Sequence, residues 1–332
     1  MIQKIAITSS MNLDPFIEVC EEHGVAWRNV AENHGLPRDG TAGIRWIPTQ
    51  FAMSFVHELA TITGEPLGRL AGERYDLAKL NPLIAEELAQ AGGLEQAFEL
   101  VMKHFPDSSN DTLLWPEKVD GQWMLCFRAI YPITLAGASH AEWFRLIVLM
   151  SLFRPFLPKG WQPKELWLCS PPPKKPLPSY LSKTKVRYSA PHSAFPLPFA
   201  EGYCPFVAPS EPSAWLDSLL ALASTYAGMP EFSVHWLSRL TNTTPRTLQR
   251  QLKKHGLHFN QVRNEARYSQ AKALLSSTEM TVMEIAWRTG YSDSANFNRA
   301  FRAWAGVTAR QYREQHSRSR KATGYQSPSG HQ

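Results

Sequence analysis

Apolar residues in the last hundred positions recur at helical spacing. The first group marks one face of a short helix and consists of Val234, Leu237 and Leu240. Thr241 and Asn242 come next and suit a tight turn, because asparagine tolerates a left-handed backbone. Beyond the turn, the inward face of a second helix is marked by two residues four positions apart, Leu248 and Leu252. The pattern predicts a helix-turn-helix unit, with Thr244 as N-cap and Pro245 in the first turn of the second helix.

The same pattern returns about fifty residues later. A short helix is marked by Val282, Ile285 and Ala286, and the inward face of the next helix by Phe297 and Phe301. Gly290 occupies the turn, and either Ser292 or Asp293 caps the second helix. Turn positions are 48 residues apart and positions in the second helices 49 apart, so Arg250 corresponds to Arg299. The chain therefore contains a duplicated helix-turn-helix unit.

The segment between the two units has the pattern of one continuous helix. Residues 260–276 contain no Gly or Pro, and their apolar positions alternate with arginines and a lysine at helical spacing. Such a helix spans ~26 Å at 1.5 Å per residue. Successive major-groove faces on one side of B-DNA recur every ~34 Å. With the width of each unit added, this connection suits two recognition helices in adjacent major grooves.

The first two hundred residues show a mixed pattern. Helices are predicted at residues 16–20, 49–59, 94–104 and 139–153, and strands at 112–115, 123–130, 166–169 and 186–188. Of the 25 prolines, 14 lie between Pro155 and Pro212, so this middle stretch favours short strands and loops. The fold class predicted is multidomain: an α+β N-terminal domain followed by an all-α domain of two helix-turn-helix units joined by a linker helix.

Charge is divided unevenly between these parts. The net charge is +6, but Lys and Arg number 19 against 23 Asp and Glu before Glu231, and 16 against 6 from Glu231 onward. A basic region of this kind indicates a polyanionic partner, although a solvated basic surface gives the same count. We predict four segments: an effector-binding or dimerisation domain over 1–205, a linker and first helix over 206–230, the DNA-binding domain over 231–316, and a disordered tail over 317–332.

Several classes of protein are disfavoured. The longest uncharged apolar run, 146–153, is too short to cross a bilayer, and no secretory signal is recognisable, so a cytoplasmic location is expected. The four cysteines form no Cys-x-x-Cys pair and are expected to be buried apolar residues. Thr61 stands where a zinc-protease motif beginning at His57 needs its second histidine. We therefore expect no metal site, no cofactor and no enzyme activity.

Side chains suited to base contacts lie on the outward faces of the second helices. Arginine pairs with guanine, amides pair with adenine, and alanine contacts the thymine methyl. The predicted base-contacting residues are Arg246, Gln249, Arg250, Ser294, Ala295, Asn298 and Arg299. The predicted phosphate-contacting residues are Lys253, Lys254, Arg263, Asn296, Arg302 and Arg310. Each arginine taken singly is also consistent with an ordinary solvent-exposed charge, but the set taken together favours DNA contacts.

The runs TPRTLQRQLKKHG, from Thr244, and EIAWRTGYSDSANFNRAFRAWAGVTARQYR, from Glu284, resemble the paired helix-turn-helix domain of AraC/XylS regulators. Ala309 and Arg310 depart from the family, which often has a proline near that point. The resemblance implies a regulator that binds promoter DNA through both units, commonly activates transcription by contacting RNA polymerase, and is often a homodimer. The N-terminal layout resembles the helical-then-mixed effector domain of one branch, the arabinose-binding-domain type.

A small-molecule effector is the expected partner of the N-terminal domain. The candidate pocket residues are Trp123, Arg128, Trp143 and Arg145. The tryptophans are equally suited to the core, and an arginine within an apolar segment can pair with an internal Asp or Glu instead of a ligand. Two further hypotheses remain at this point, a domain that only dimerises and an N-terminal enzyme.

Overall fold

The structure is a computed structural model that describes residues 5–36, 46–205 and 215–322, with side chains described to residue 316. The chain divides into two compact units, Met1–Ser218 and Leu219–Gln332. The predicted linker falls partly on 206–214, which lie outside the described residues.

The first unit is helical over its first half. Its helices are α1 (Asp14–Glu22), α2 (Trp27–Asn33), α3 (Thr49–Thr63), α4 (Leu67–Glu73), α5 (Leu77–Leu80), α6 (Pro82–Ala89), α7 (Leu94–His104) and α8 (Ala138–Phe153). Helices α1, α3, α7 and α8 confirm the four helical patterns predicted from the sequence. The short helices α5 and α6 begin at the side-chain caps of Asp76 and Asn81, which accept backbone N–H groups.

The strands of the first unit form two sheets. The small sheet is an antiparallel pair, β1 (Ile7–Ser9) and β2 (Trp46–Pro48). The larger sheet has the order β3-β4-β7-β5-β6, with strands β3 (Thr112–Val119), β4 (Gln122–Ala129), β5 (Glu165–Trp167), β6 (Lys185–Arg187) and β7 (Ser193–Pro196). Only the β5–β6 pairing is parallel among these described strands. Asp120 and Gly121 both have positive φ, 49° and 83°, the geometry of a two-residue hairpin turn between β3 and β4.

The core of this unit lies between the larger sheet and helices α7 and α8. Because side chains alternate along a strand, Leu125 and Phe127 of β4 face the helices while Met124 and Cys126 face away. Leu125 and Phe127 pack in one cluster with Phe98, Leu146, Phe153 and Phe195. This arrangement of a sheet with helices on one face confirms the predicted α+β class.

The second unit is all helical over its described residues, as predicted. Helix α9 (Trp215–Tyr226) contains the boundary between the units. It is followed by α10 (Val234–Leu240), α11 (Pro245–Lys254), α12 (Phe259–Ser277), α13 (Val282–Arg288), α14 (Ser294–Ala305) and α15 (Ala309–Ala322). Of the predicted disordered tail, residues 317–322 continue α15 and 323–332 lie outside the described residues.

Two small cores hold these helices together. Leu237, Leu248 and Leu252 are fully buried in the first helix pair. In the second, Ile285, Phe297 and Phe301 pack with residues of α12 and α15. Because α12 contributes Val262 and Ala266 before its midpoint and Ala271 and Leu275 after it, one continuous helix carries buried residues along its whole length. The predicted linker helix is thereby confirmed.

The cysteines only partly follow the expectation. Cys20 and Cys126 are buried, but Cys169 is half-buried and Cys204 is exposed. The prediction that all four are buried apolar residues is wrong for Cys204, which is exposed in the irregular segment that follows β7.

Candidate DNA interface

Both helix-turn-helix units turn at a residue with positive φ. The turn residues are Asn242, with φ of 49°, and Gly290, with φ of 81°. They are the two positions that the sequence repeat aligns. A Cβ atom on Gly290 would lie 2.5 Å from the guanidinium of Arg267 and 3.0 Å from the Gly228 carbonyl, so glycine is required there on two grounds. Asn242 is exposed and shares the positive φ of Gly290.

Side-chain caps begin both second helices. The Thr244 hydroxyl accepts the Thr247 amide at 3.2 Å, with Pro245 in the first turn of α11. The Asp293 carboxylate accepts the Asn296 amide at 2.7 Å at the start of α14. Asp293, and not Ser292, is therefore the cap that the sequence left open between them. Hydrogen bonding from the Asn296 backbone holds the pKa of Asp293 below its ordinary value.

Helix α11 presents an unpaired cationic face. Leu248 and Leu252 are buried on one side, and the other side carries Arg246, Gln249, Arg250, Lys253 and Lys254, all exposed. Within the described part of the chain, none of these five side chains forms a hydrogen bond or ion pair. Five long polar groups free in solvent on one helical face are available to a ligand without breaking an internal contact.

Helix α14 presents a face whose side chains are linked to one another. The Asn296 side chain donates to the Asp293 carboxylate and accepts a hydrogen bond from the Arg299 guanidinium. Asn298 is half-buried and donates to the Ser294 carbonyl at 2.9 Å. Ala295, Arg299 and Arg302 are exposed, and Ser294 is half-buried. The structure therefore places six of the predicted contact residues on α14, but partly engaged with the helix itself.

The remaining predicted phosphate contacts differ in exposure. Arg310 is exposed and pairs with Glu314 at 3.1 Å, four residues along α15. Arg263 is half-buried: its guanidinium lies 5.9 Å from the Phe259 ring centroid, and its Nε is buried without a partner among the described residues. Arg263 is thus less accessible than the other predicted phosphate contacts.

Arg267 is a structural arginine that the sequence does not single out as one. Its Nε donates to the Ala227 carbonyl at 2.8 Å, and its guanidinium lies 5.2 Å from the Tyr291 ring centroid. Burial, together with the nearby Arg263 charge, lowers its pKa. One arginine on α12 therefore holds the end of α9 and the turn of the second helix-turn-helix unit in one place.

A cavity of about 160 Å³ lies within the first unit. Most of its lining is apolar and comes from α1, α3, α6, α7 and α8, including Phe16, Met53, Val56, Leu100 and Val148. Its polar lining includes Asp111 and Arg145, which contact each other, together with Thr8, Ser9, Asn81 and His104. A mostly apolar chamber with a few polar groups is the usual form of a small-molecule site.

Of the four predicted pocket residues, Arg145 alone lines this cavity. Its guanidinium contacts Asp111 at 3.4 Å and the Tyr131 hydroxyl at 3.3 Å, so an internal acid is its partner here. Arg128 is exposed and lines a second cavity of about 490 Å³ beside β4. Trp143 is buried in the core, and Trp123 is half-buried with the Lys118 ammonium 5.7 Å from its ring centroid. Neither tryptophan lines either of these cavities.

Glu142 is a buried acid that the sequence reasoning missed. Its carboxylate accepts the Cys169 amide at 2.7 Å, the Ser170 amide at 3.0 Å and the Ser193 hydroxyl at 2.5 Å. Three donors from two segments therefore hold this charge in the interior. Its position four residues before Leu146 on the inward face of α8 is the one sequence signal that could have marked it.

Helices α11 and α14 each have an exposed polar face, and each follows a shorter helix and a tight turn. This arrangement defines a tandem helix-turn-helix DNA-binding domain. Family models match both this domain and the N-terminal unit. Residues 237–315 match the model described as a helix-turn-helix domain, and residues 24–200 match the arabinose-binding domain of AraC transcription regulators, N-terminal. The chain belongs to the AraC family of transcription regulators, with an arabinose-binding-like N-terminal domain. As predicted, this is a family of regulators and not of enzymes.

The chain is also similar to individual regulators, over short segments. It is 39% identical over 77 residues to the ornithine utilization regulator of Pseudomonas aeruginosa, covering 23% of each chain. It is 34% identical over 105 residues to the transcriptional activator RhaS of an Enterobacter species, covering 30% of this chain and 35% of the other. The regulator CdpR of Pseudomonas aeruginosa aligns over 92% of this chain and 98% of its own, with 19% identity and a TM-score of 0.39.

Among the helices of the described residues, none combines the length and the apolar character needed to cross a bilayer.

Proposed function

We propose that the protein is a promoter-binding transcription regulator that inserts α11 and α14 into adjacent major grooves. The observation that carries the proposal is the outward face of α11, where five polar side chains are exposed while Leu248 and Leu252 are buried. A polar helix face of this kind, adjoining a shorter helix across a tight turn, matches the geometry by which recognition helices bind DNA.

The proposed contacts fall into two groups. Arg246, Gln249, Arg250, Ser294, Ala295, Asn298 and Arg299 contact base edges, where arginine and amide side chains discriminate between base pairs. Lys253, Lys254, Asn296, Arg302 and Arg310 contact phosphates, which position the protein without reading sequence. For Arg263, which is half-buried, the proposed phosphate contact is made by the terminal guanidinium nitrogens, because its Nε is buried.

The test is selection of binding sites from random DNA with the full-length protein, followed by footprinting of the selected site. Protection of two major grooves about one helical turn apart is expected on one face of the duplex. Lys254→Ala should weaken cognate and random DNA equally and reduce the salt dependence of binding. Protection confined to a single groove contradicts the proposal.

We infer that a small molecule bound in the 160 Å³ cavity controls DNA binding. It would do so by binding more tightly to one of two conformations of the protein, which raises the population of that conformation. The mostly apolar lining, with Asp111 and Arg145 among its polar groups, favours a compact, largely apolar molecule that carries a polar group. A metabolite panel screened by thermal shift should give a stabilising compound. Val148→Trp, which fills the cavity, should abolish the shift, whereas Leu113→Trp on exposed strand surface should retain it.

We further propose a homodimer that activates transcription by contacting RNA polymerase. The similarity to RhaS, described as an activator, supports this direction of control. Sedimentation of the full chain should give twice the monomer mass, and transcription in vitro from the selected site should rise when the protein is added. A monomer, or a fall in transcription, contradicts the respective part.

A further inference from the structure

Three metal-ligand side chains converge on the outer face of the five-stranded sheet. Glu117 comes from β3, Cys126 from β4, and His192 from the residue immediately before β7. Trp115, Cys126 and Ala194 are register partners on β3, β4 and β7. Glu117 lies two residues after Trp115 and His192 two residues before Ala194, so all three donors lie on the face turned away from α8. One atom from each of the three lies within 4.8 Å of the other two.

Two of the three distances between these atoms are close to those of a metal-bound set. The Glu117 carboxylate oxygen lies 3.7 Å from the Cys126 Sγ and 3.7 Å from the His192 Nε2. Ligands of a tetrahedral zinc ion, bound at 2.0 to 2.3 Å, are separated from one another by about 3.4 to 3.6 Å. The third distance, between the Cys126 Sγ and the His192 Nε2, is within 4.8 Å, so side-chain adjustment at this pair brings the donors onto one ion.

The His192 imidazole has an unused nitrogen at this point. Its Nε2 is buried and has no hydrogen-bond partner among the described residues. The ring is held between two tryptophans, with centroids 5.2 Å from Trp115 and 5.4 Å from Trp167. A buried polar nitrogen without a partner destabilises the fold, and coordination to a metal satisfies it.

We propose that Glu117, Cys126 and His192 form a zinc site that joins β3, β4 and the segment entering β7. Thiolate, imidazole and carboxylate together are a ligand set typical of zinc. Binding replaces the Cys126 S–H bond with a Zn–S bond and releases the proton to solvent. Glu117, whose side chain is 45% exposed, leaves a path for the ion and a fourth position for water. The sequence gives no such signal, because the three residues are 9 and 66 positions apart.

The experiment titrates the full-length, metal-free protein with Co²⁺, which reports thiolate coordination and tetrahedral geometry by absorption. One equivalent should give a thiolate-to-cobalt charge-transfer band and intense ligand-field bands, and Zn²⁺ should abolish both. His192→Gln and Glu117→Gln should each weaken the affinity tenfold or more, and Cys126→Ser should remove the charge-transfer band. Cys204→Ser, at the exposed cysteine, should leave the titration unchanged.

Three results overturn the proposal. The first is a wild-type protein without a charge-transfer band, and the second is a band that survives in His192→Gln with unchanged affinity. The third is a band that disappears in Cys204→Ser. His192→Gln and Glu117→Gln retain every thiol and do not alter a fully buried residue, so the conclusion does not depend on the folding of Cys126→Ser. Zinc should also raise the melting temperature of the wild type but not of His192→Gln.

Discussion

The two recognition helices share a backbone plan but differ in how their outward side chains are held. On α11 the polar side chains project singly into solvent, whereas on α14 the chain of contacts Asp293–Asn296–Arg299 links the cap to the arginine. A restrained side chain loses less conformational entropy when it binds. The duplicated unit therefore offers one adaptable cationic face and one pre-organised face, and the second is better suited to discriminate between bases.

The turns allow the largest test of this comparison. Gly290→Ala should destabilise the protein by about 3 kcal/mol, because an L-residue is strained at φ of 81° and its Cβ displaces Arg267. Asn242→Ala is the matched control and should cost about 1 kcal/mol, since that turn residue is exposed and already carries a Cβ, so only the strain of an alanine at φ of 49° remains. Urea unfolding measures both values. Equal losses at the two turns would show that Arg267 gives way freely and that the second unit is no more tightly built than the first.

The two aligned arginines give the next largest effect. Arg250→Ala and Arg299→Ala should each cost about 2 kcal/mol of cognate binding and relax the base preference at one half-site only. Binding isotherms on the selected site and on variants with one altered half-site measure this. Lys253→Ala is the control on the same helix as Arg250 and should not change base preference. A loss that is the same on cognate and random DNA would assign the arginine to a phosphate instead.

The duplication and the inward faces were predictable from the sequence, but the linkage that distinguishes the units was not. Leu248 and Leu252 show their burial by spacing alone, because a helix repeats locally. The contact between Arg145 and Asp111 joins residues 34 positions apart, and the cluster at Glu117 joins three elements. Such pairs depend on strand register and helix docking, which no local pattern contains. At Trp143 the local pattern is present but does not distinguish two roles, because an aromatic residue at helical spacing has the same pattern in a core as beside a ligand.

A smaller effect tests the pre-organisation itself. Asn296→Ala should weaken cognate binding several-fold, because the Arg299 guanidinium loses the acceptor that restrains it. In an Arg299→Ala background the same substitution should remove only the phosphate contact proposed for Asn296 and should have a smaller effect, so the double-mutant cycle should show coupling between the two residues. Gln249→Ala combined with Arg250→Ala on α11 should be additive, since no contact joins that pair within the described residues. Additivity at Asn296 and Arg299 would show that Asn296 acts through its phosphate contact alone and does not restrain the Arg299 guanidinium.

The smallest expected difference is a pH dependence confined to the second helix-turn-helix unit. Asp293 is the N-cap of α14, and Glu284 completes the capping box of Thr281 at the start of α13. Hydrogen bonds from the Asn296 and Thr281 amides lower the pKa of these two carboxylates. Because these folded-state pKa values lie below the unfolded ones, the stabilisation is complete above the unfolded pKa and is lost as the pH falls through the folded pKa. The helices of the first helix-turn-helix unit are capped by the Ser233 and Thr244 hydroxyls, which do not titrate. Hydrogen exchange measured below about pH 4 should therefore show α13 and α14 losing protection before α10 and α11. Asp293→Asn, an equally good cap without a titrating group, should reduce the difference; unchanged loss in that variant would place the acid sensitivity elsewhere in the unit.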